Sequence, residues 1–310
     1  MQATDDTGLR AFIHSLPKTE HHLHIEGALP WELLRAAHPD KYQTAPASWH
    51  PGFRFRDFAE FETQLIGYAA DFFTTPQRYH DCAAAVFRDR LARNVHSMEI
   101  SFASGCVDFQ NLDGREVADA LRAAVPEGLS VRIFLGIHHN GWTPRMTPVL
   151  EEALSWSSLD GIDLHGPEDI PVSELAPAYW QRARDAGKRT KAHAGEFQGP
   201  EFIRYAIESL GVRQIQHGVR AIEDPAVVDL LLQEDVTLDV CPVSNVKLGV
   251  VGSPDAHPVR GLFDAGVRCT LSTDDPVVFG NTLEDEYLLL ARHLGFTRDE
   301  LAILAQPVPL

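Results

Sequence analysis

The chain is poor in cysteine and in positive charge, and it contains no long apolar run. Its four cysteines (Cys82, Cys106, Cys241 and Cys269) are widely spread and form no CxxC pair. In 310 residues this describes reduced, mostly buried thiols and excludes a disulfide framework. Lysine and arginine number 27 against 44 acidic residues, for a formal net charge of −17. Such a surface repels phosphate backbones and anionic lipid, so neither nucleic acid nor membrane is an expected partner. No stretch is apolar for long enough to span a bilayer. The opening MQATDDTGLR is acidic and polar, unlike a signal peptide, and a cytoplasmic location is expected. There is no internal repeat, low-complexity tract or linker, and no GxGxxG follows an early strand to mark an open nucleotide-binding sheet. Oligomeric state is not legible, and a homo-oligomer is left open.

What remains is ordinary globular composition, 44% hydrophobic and 23% charged, with ample length for a large core. Eight short β-rich runs recur: KTEHHLHI, HSMEISFA, LSVRIFLGI, GIDLHG, RTKAHAG, VRQIQHG, VTLDVCPV and VRCTLSTD. Between them lie stretches such as PAYWQRARDAGK, EFIRYAIESLG and DPAVVDLLLQED, whose apolar residues repeat at three- and four-residue spacing. Several end in Gly shortly before the next strand, a usual helix stop. Eight strands alternating with helices predict a parallel sheet, and its closed form is a (β/α)8 barrel. We expect one domain over residues 1–310. The interval of roughly 28–95 is too long for a single crossover and contains PASWHPGFRFRDFAEFETQL, expected to cover the barrel mouth as a helical lid. Phe58, Phe61 and Leu65 fall at helical spacing there, as a packing stripe or as part of a ligand pocket.

In such a barrel the active site lies at the C-terminal ends of the strands. The first strand, in TEHHLHIEG, carries His22 and His24 on one face, with His21 and Leu23 on the other by strand alternation. The fifth ends in HAGE (His193, Glu196), the sixth in QHG (His217) and the eighth in STDDP (Asp274, Asp275). Taken singly, HxH can be a polar strand edge, HAGE a Gly turn, and DDP a capped helix start. Together they put polar groups at matching ends of four strands. Three imidazoles and a carboxylate suit zinc, and an open coordination position would hold a water of lowered pKa. Glu196 can exchange a proton with a substrate atom just past a ligand. The machinery reads as hydrolytic.

The stretches LPKTEHHLHIEGAL, GIDLHGPE, KAHAGE, IQHGVRAIEDP, DVCPVSNVKL, HPVRGLFDAGV and STDDP resemble, in order, the adenosine/adenine deaminase family of the amidohydrolase superfamily. The resemblance covers nearly the whole chain and implies a distorted (β/α)8 barrel of the TIM type with one zinc ion. By motif it implies His22, His24, His193 and Asp274 as metal ligands. Glu196 would protonate N1 of a 6-aminopurine, and His217 would orient the attacking hydroxide and move its proton. Asp275 would hydrogen-bond N7, the backbone at Gly166 would meet N3, and Glu26 would lie near the sugar. A two-metal relative would need a bridging modified lysine, and Lys191, inside strand five, is badly placed for that.

The resemblance leaves the 6-aminopurine open. Gly166 matches nucleoside deaminases, whereas CPVSNVKL and HPVRGLFDAGV look like the free-adenine branch. His138 and His139 after strand three, and His165 before Gly166, depart from the family pattern. They are either structural or, with Arg54 and Arg56, receivers of an anionic tail such as that of 6-amino-6-deoxyfutalosine. The expected function is hydrolytic deamination of an adenosine-like nucleoside, with adenine as the alternative substrate. A non-catalytic nucleoside-binding barrel and a hydrolase for another amide or ester are the remaining alternatives. The chain stops at LAILAQPVPL, where the family continues through a terminal helix.

Overall fold

Each β-rich run of the sequence becomes a strand. The computed structural model describes residues 6–306, so the first five residues, MQATD, and the last four, PVPL, lie outside it. The strands are β1 (Lys18–His24), β2 (Val95–Ala103), β3 (Ser130–His138), β4 (Gly161–His165), β5 (Arg189–Ala194), β6 (Gln214–His217), β7 (Thr237–Val240) and β8 (Arg268–Leu271). They pair in parallel and in sequence order within one sheet. β2 and β3 are rich in valine, isoleucine, leucine and phenylalanine, whereas β1 (KTEHHLH) and β5 (RTKAHA) are mostly polar, because the barrel interior here carries buried polar side chains.

Helix α1 (Asp6–Ser15) precedes the barrel. Between β1 and β2 come α2 (Trp31–Ala37), α3 (Phe58–Phe72) and α4 (Pro76–Ala92). Then follow α5 (Ser104–Phe109) and α6 (Gly114–Ala123), α7 (Met146–Ala153), α8 (Ala176–Asp185), α9 (Pro200–Glu208) and α10 (Pro225–Gln233). The order finishes with α11 (Pro242–Lys247), α12 (Val259–Asp264), α13 (Pro276–Phe279), α14 (Leu283–His293) and α15 (Arg298–Leu304). No helix among the described residues is long and apolar enough to cross a membrane. The interval expected as a lid divides in two. Helix α4 buries Tyr79, Val86 and Phe87 and packs against β2 and α6, so it belongs to the outer ring. Only α3, started by Asp57 accepting the Glu60 N–H at 2.8 Å, borders the cavity described below.

The barrel closes through an irregular seam. Between β1 and β8 the backbone makes one bridge, Leu23 to Asp274, with His24 N donating to Asp274 O (3.3 Å) and Asp274 N to His22 O (3.2 Å). Below it, side chains replace the ladder. Ser272 Oγ accepts the N–H groups of His21 and His22, both at 3.0 Å. Glu20 accepts from Thr273 N and Oγ1 and from Arg90 Nε. The register of β1 slips between Glu20 and Leu23, and this slip breaks strict alternation. His21, expected to face away from His22, instead stands with Nδ1 3.8 Å from Asp239 Oδ1, in the polar layer beneath the site.

Candidate active site

Four donor atoms converge at the C-terminal end of the barrel. Nε2 of His193 lies 3.0 Å from Nε2 of His22 and 3.1 Å from Nε2 of His24. Asp274 Oδ1 lies 3.2 Å and 3.4 Å from the same atoms of His22 and His24. Donors that share one ion at about 2.0–2.1 Å stand roughly 3 Å or more apart, so these four separations suit side chains that would hold one divalent ion. The outward nitrogens agree with this. His193 Nδ1–H donates to Leu164 O (3.0 Å) beside Asp163 Oδ1 (3.4 Å), His22 Nδ1–H to Asp239 O (3.3 Å), and His24 Nδ1 meets Ser101 Oγ (3.2 Å). These contacts turn the Nε2 lone pairs inward, as outer partners of metal-binding imidazoles do. Asp274 Oδ2 accepts from Ser244 Oγ at 2.7 Å. The residues present fit one divalent ion.

The electrostatics suit the same use. Burial, then the neighbouring His193, holds His22 and His24 well below the ordinary imidazole pKa, so both are neutral donors. Burial works against ionised Asp274, but His217 and His24 outweigh it and its pKa is lowered. Of the five non-glycine residues with left-handed φ among those described, His217 (62°) and Asp274 (63°) are here. His217 is the last residue of β6, and Asp274 stands three residues past the end of β8.

Glu196 stands beside the donors, with Oε2 3.5 Å from His217 Nε2. Burial, then the charges of Asp274 and Glu168, pushes its pKa well above the ordinary carboxylate value, which favours its protonated form. Two residues that motif reading passed over hold it in place. Glu168 accepts the backbone N–H groups of Glu196 (3.2 Å), Phe197 (2.6 Å) and Gln198, which pins the loop after β5. Asn245 Nδ2 lies 3.3 Å from Glu196 Oε1 and 3.1 Å from His217 Nδ1, while its Oδ1 accepts from His257 Nε2 at 3.2 Å. The only signal for them was their place inside GIDLHGPE and CPVSNVKL.

Asp275 has a buried Oδ1 with no partner, and its pKa is raised well above normal by burial and by Asp274. Gly27 makes room for it: a Cβ there would come within 1.7 Å of that oxygen. Glu26 accepts from Tyr79 Oη (2.9 Å) and Ala103 N (3.0 Å), and burial pushes it up to about 7. Both line a cavity of about 290 Å³, close to the lower end of small-molecule sites. Gly166 (φ +103°), His138 and His165 line it as well, with His138 lodged between Gly105 and Gly166. His165 leaves its buried Nε2 unpartnered.

Other expected members are elsewhere. His139 donates from Nδ1 to Ile170 O (2.7 Å), lies against Phe202, and does not line the cavity. Arg54 turns to the carbonyls of Pro51 and Phe53, and Arg56 pairs with Asp57. Both arginines are exposed outside the cavity, so the anionic-tail role expected of them loses its basis. Lys191 points down the barrel to His21 O (2.8 Å), away from the donors, which leaves a one-ion site. Phe58, Phe61 and Leu65 form a wall of the cavity.

Comparison with known proteins agrees with this site. A family model described as Adenosine deaminase matches residues 17–307. An adenine deaminase of Aspergillus fumigatus is 31% identical over 96% of this chain and 90% of its own length. One of Sphingopyxis alaskensis is 33% identical over 96% of this chain and 89% of its own. The crystal structure of an adenine deaminase from Arthrobacter aurescens superposes with a TM-score of 0.81 at 29% identity, covering 94% of this chain and 92% of that one. The chain belongs to the adenosine deaminase family and is a metal-dependent hydrolytic deaminase of the amidohydrolase superfamily.

Proposed function

We propose that the protein deaminates a 6-aminopurine nucleoside to its 6-oxo product and ammonia, with one zinc ion held by His22, His24, His193 and Asp274. Three imidazole nitrogens and one carboxylate oxygen, gathered within about 3.0–3.4 Å of one another along four pairs, support zinc over a larger, oxygen-seeking cation. When bound, the ion supplies Lewis acidity and lowers the pKa of a water molecule. The observation that carries the reading is Glu196, buried beside the donors with Oε1 3.3 Å from Asn245 Nδ2 and Oε2 3.5 Å from His217 Nε2.

As water oxygen bonds to C6, the C6=N1 electron pair moves to N1, which takes the proton of Glu196. His217 hydrogen-bonds the attacking oxygen and relays its proton. Asp275, protonated, donates to N7, an acceptor that offers its unpartnered oxygen a use. The amino group then leaves C6 with its bonding pair and the proton that His217 relayed, as ammonia. A lone pair of the attached oxygen closes the C6=O bond, and that oxygen's remaining proton returns to Glu196, leaving the 6-oxo product. The bare backbone at Gly166 meets N3, and Glu26 lies toward the sugar.

A second reading takes free adenine as substrate, favoured by the adenine deaminases among the relatives. Turnover of adenosine, adenine and 6-amino-6-deoxyfutalosine, followed by the ultraviolet change on deamination, decides between them. Adenosine above adenine supports the nucleoside reading, and turnover of adenine alone sinks it. Glu196→Gln should keep the metal and lose about 10²–10⁴-fold in kcat. Unchanged turnover would remove Glu196 from the proton transfer.

A further inference from the structure

The end of the barrel opposite the metal donors holds a second cavity, of about 380 Å³. It opens among the first residues of four consecutive strands: Arg189 of β5, Gln214 of β6, Thr237 of β7 and Arg268 of β8. Five cations line it, Arg184, Lys188, Arg189, Arg213 and Arg268, in a chain whose formal net charge is −17. The three carboxylates in its walls, Glu99, Glu234 and Asp235, are already committed. Glu99 pairs with Arg132 and accepts from Gln214, Glu234 pairs with Arg213, and Asp235 pairs with Arg268.

That leaves Arg184, Lys188 and Arg189, none of which forms an ion pair among the described residues. Arg184, on α8, donates to Leu210 O and Gln181 Oε1, and Lys188 donates to the carbonyls of Trp156 and Leu159, both at 2.6 Å. A guanidinium and an ammonium carry more N–H donors than these bonds use. The half-buried Arg189 side chain makes no hydrogen bond among the described residues. Asp160, whose charge acts on Lys188 and Arg189, is held by Arg122 and by Ile133 N (2.8 Å). Burial lowers the pKa of all three cations, and Arg132 adds to this at Arg189. With 44 acidic residues against 27 basic ones, a cation lacking a carboxylate is unexpected, and three share this cavity. Half-buried positive charges without an internal counter-ion are stabilised by an external anion.

We propose that this N-terminal cavity binds a phosphate-type oxyanion, with the Arg189 guanidinium as a bidentate contact and Arg184 and Lys188 beside it. A tetrahedral oxyanion offers acceptor oxygens in several directions, which suits donors arriving from α8, from the turn after it and from β5. The source is free phosphate or the phosphate group of a small metabolite. Binding to the folded chain alone raises its stability by mass action. The site stands apart from the deamination reading, and neither depends on the other.

Calorimetric titration and thermal denaturation of the metal-loaded enzyme test this, comparing inorganic phosphate, ribose 5-phosphate and chloride at constant ionic strength. Phosphate should bind saturably and raise Tm by about 1–3 °C at saturation, and chloride should do neither. Ribose 5-phosphate binding about tenfold tighter than phosphate assigns the site to a sugar phosphate, and equal or weaker binding assigns it to the free ion. Arg189→Gln should weaken phosphate binding by about tenfold or more at unchanged metal content. Arg189→Lys, which keeps the charge and loses the fork, should fall between the two. Equal phosphate affinity in Arg189→Gln and the parent overturns the proposal, since an anion held at the metal donors would survive that change. A Tm rise matched by chloride overturns it as well, as general screening. Should Arg189→Gln fail to fold, Arg189→Lys decides in its place, and unaltered affinity there refutes the bidentate contact.

Discussion

Two layers of the same barrel interior use the same residue types to opposite ends. In the lower layer, Lys191 donates to His21 O, Glu99 pairs with Arg132 (3.0 Å), and Gln214 donates to both Glu99 and Asp239 (2.7 Å each). Asp239 also accepts from Thr270 Oγ1 at 2.6 Å. Opposite charges there meet one another. In the upper layer, three imidazoles and Asp274 aim at a common point, Asp275 leaves an oxygen unpartnered, and Glu196 is pushed toward its protonated form. Closed networks support a fold, whereas convergent and incompletely paired groups await a ligand.

The comparison breaks first at the donors. His193→Ala removes the nitrogen nearest both other imidazoles, so the bound ion should be lost. The kcat/KM should fall by about 10⁴-fold or more, on the order of 5 kcal/mol at the transition state. Metal analysis alongside kinetics checks this, and stoichiometric metal in the variant would refute the donor assignment.

In the lower layer Glu99→Gln should act on stability and not on metal content. Burial pushes the Glu99 carboxyl up, but Lys191, His21, Gln214 and Arg132 outweigh it and hold it at about 2. A depressed folded pKa means stabilisation fully present above the unfolded value near 4.5 and lost as pH falls through about 2. Urea titrations should show that part of the acid loss, about 3 kcal/mol, vanish in the variant. At neutral pH the variant should be about 3–5 kcal/mol less stable, because Arg132 and Lys191 lose a buried partner. A variant stable at neutral pH but stripped of its ion would reverse the assignment of the two layers.

A smaller effect sharpens the upper layer. Gly27→Ala forces Asp275 aside and should lower kcat/KM by about 10–100-fold at unchanged metal content, since small misplacements near reacting atoms are costly. Equal activity would mean that Asp275 does not touch the substrate. The smallest effect is expected of His21→Asn: full metal content and a loss of about 1 kcal/mol or less. Depleted metal would bring His21 into the site after all.

The strands, and the gathering of histidine and aspartate side chains at one end of them, were readable because both depend on local order. Apolar β-runs ending in HxH, HAGE, QHG and STDDP carry their side chains to one end of a parallel barrel whatever the helices outside do. Glu168 and Asn245 were not readable as positioning groups, since they act on residues 28–30 and 28–49 positions away in the chain. Nor was the fate of Arg54 and Arg56, which a favourable sum of charge had put near the substrate.

By itself the sequence determined an eight-stranded parallel barrel, its functional end, and the identities of the groups gathered there, because hydrophobic periodicity and strand ends are written locally. Tertiary structure alone decided which way those groups face. His21 turned inward because a slip in the β1 register overrode alternation, and α3 closed an acidic cavity with an apolar wall. Register and cavity lining depend on which distant segments pack together, and that is a property of the folded chain.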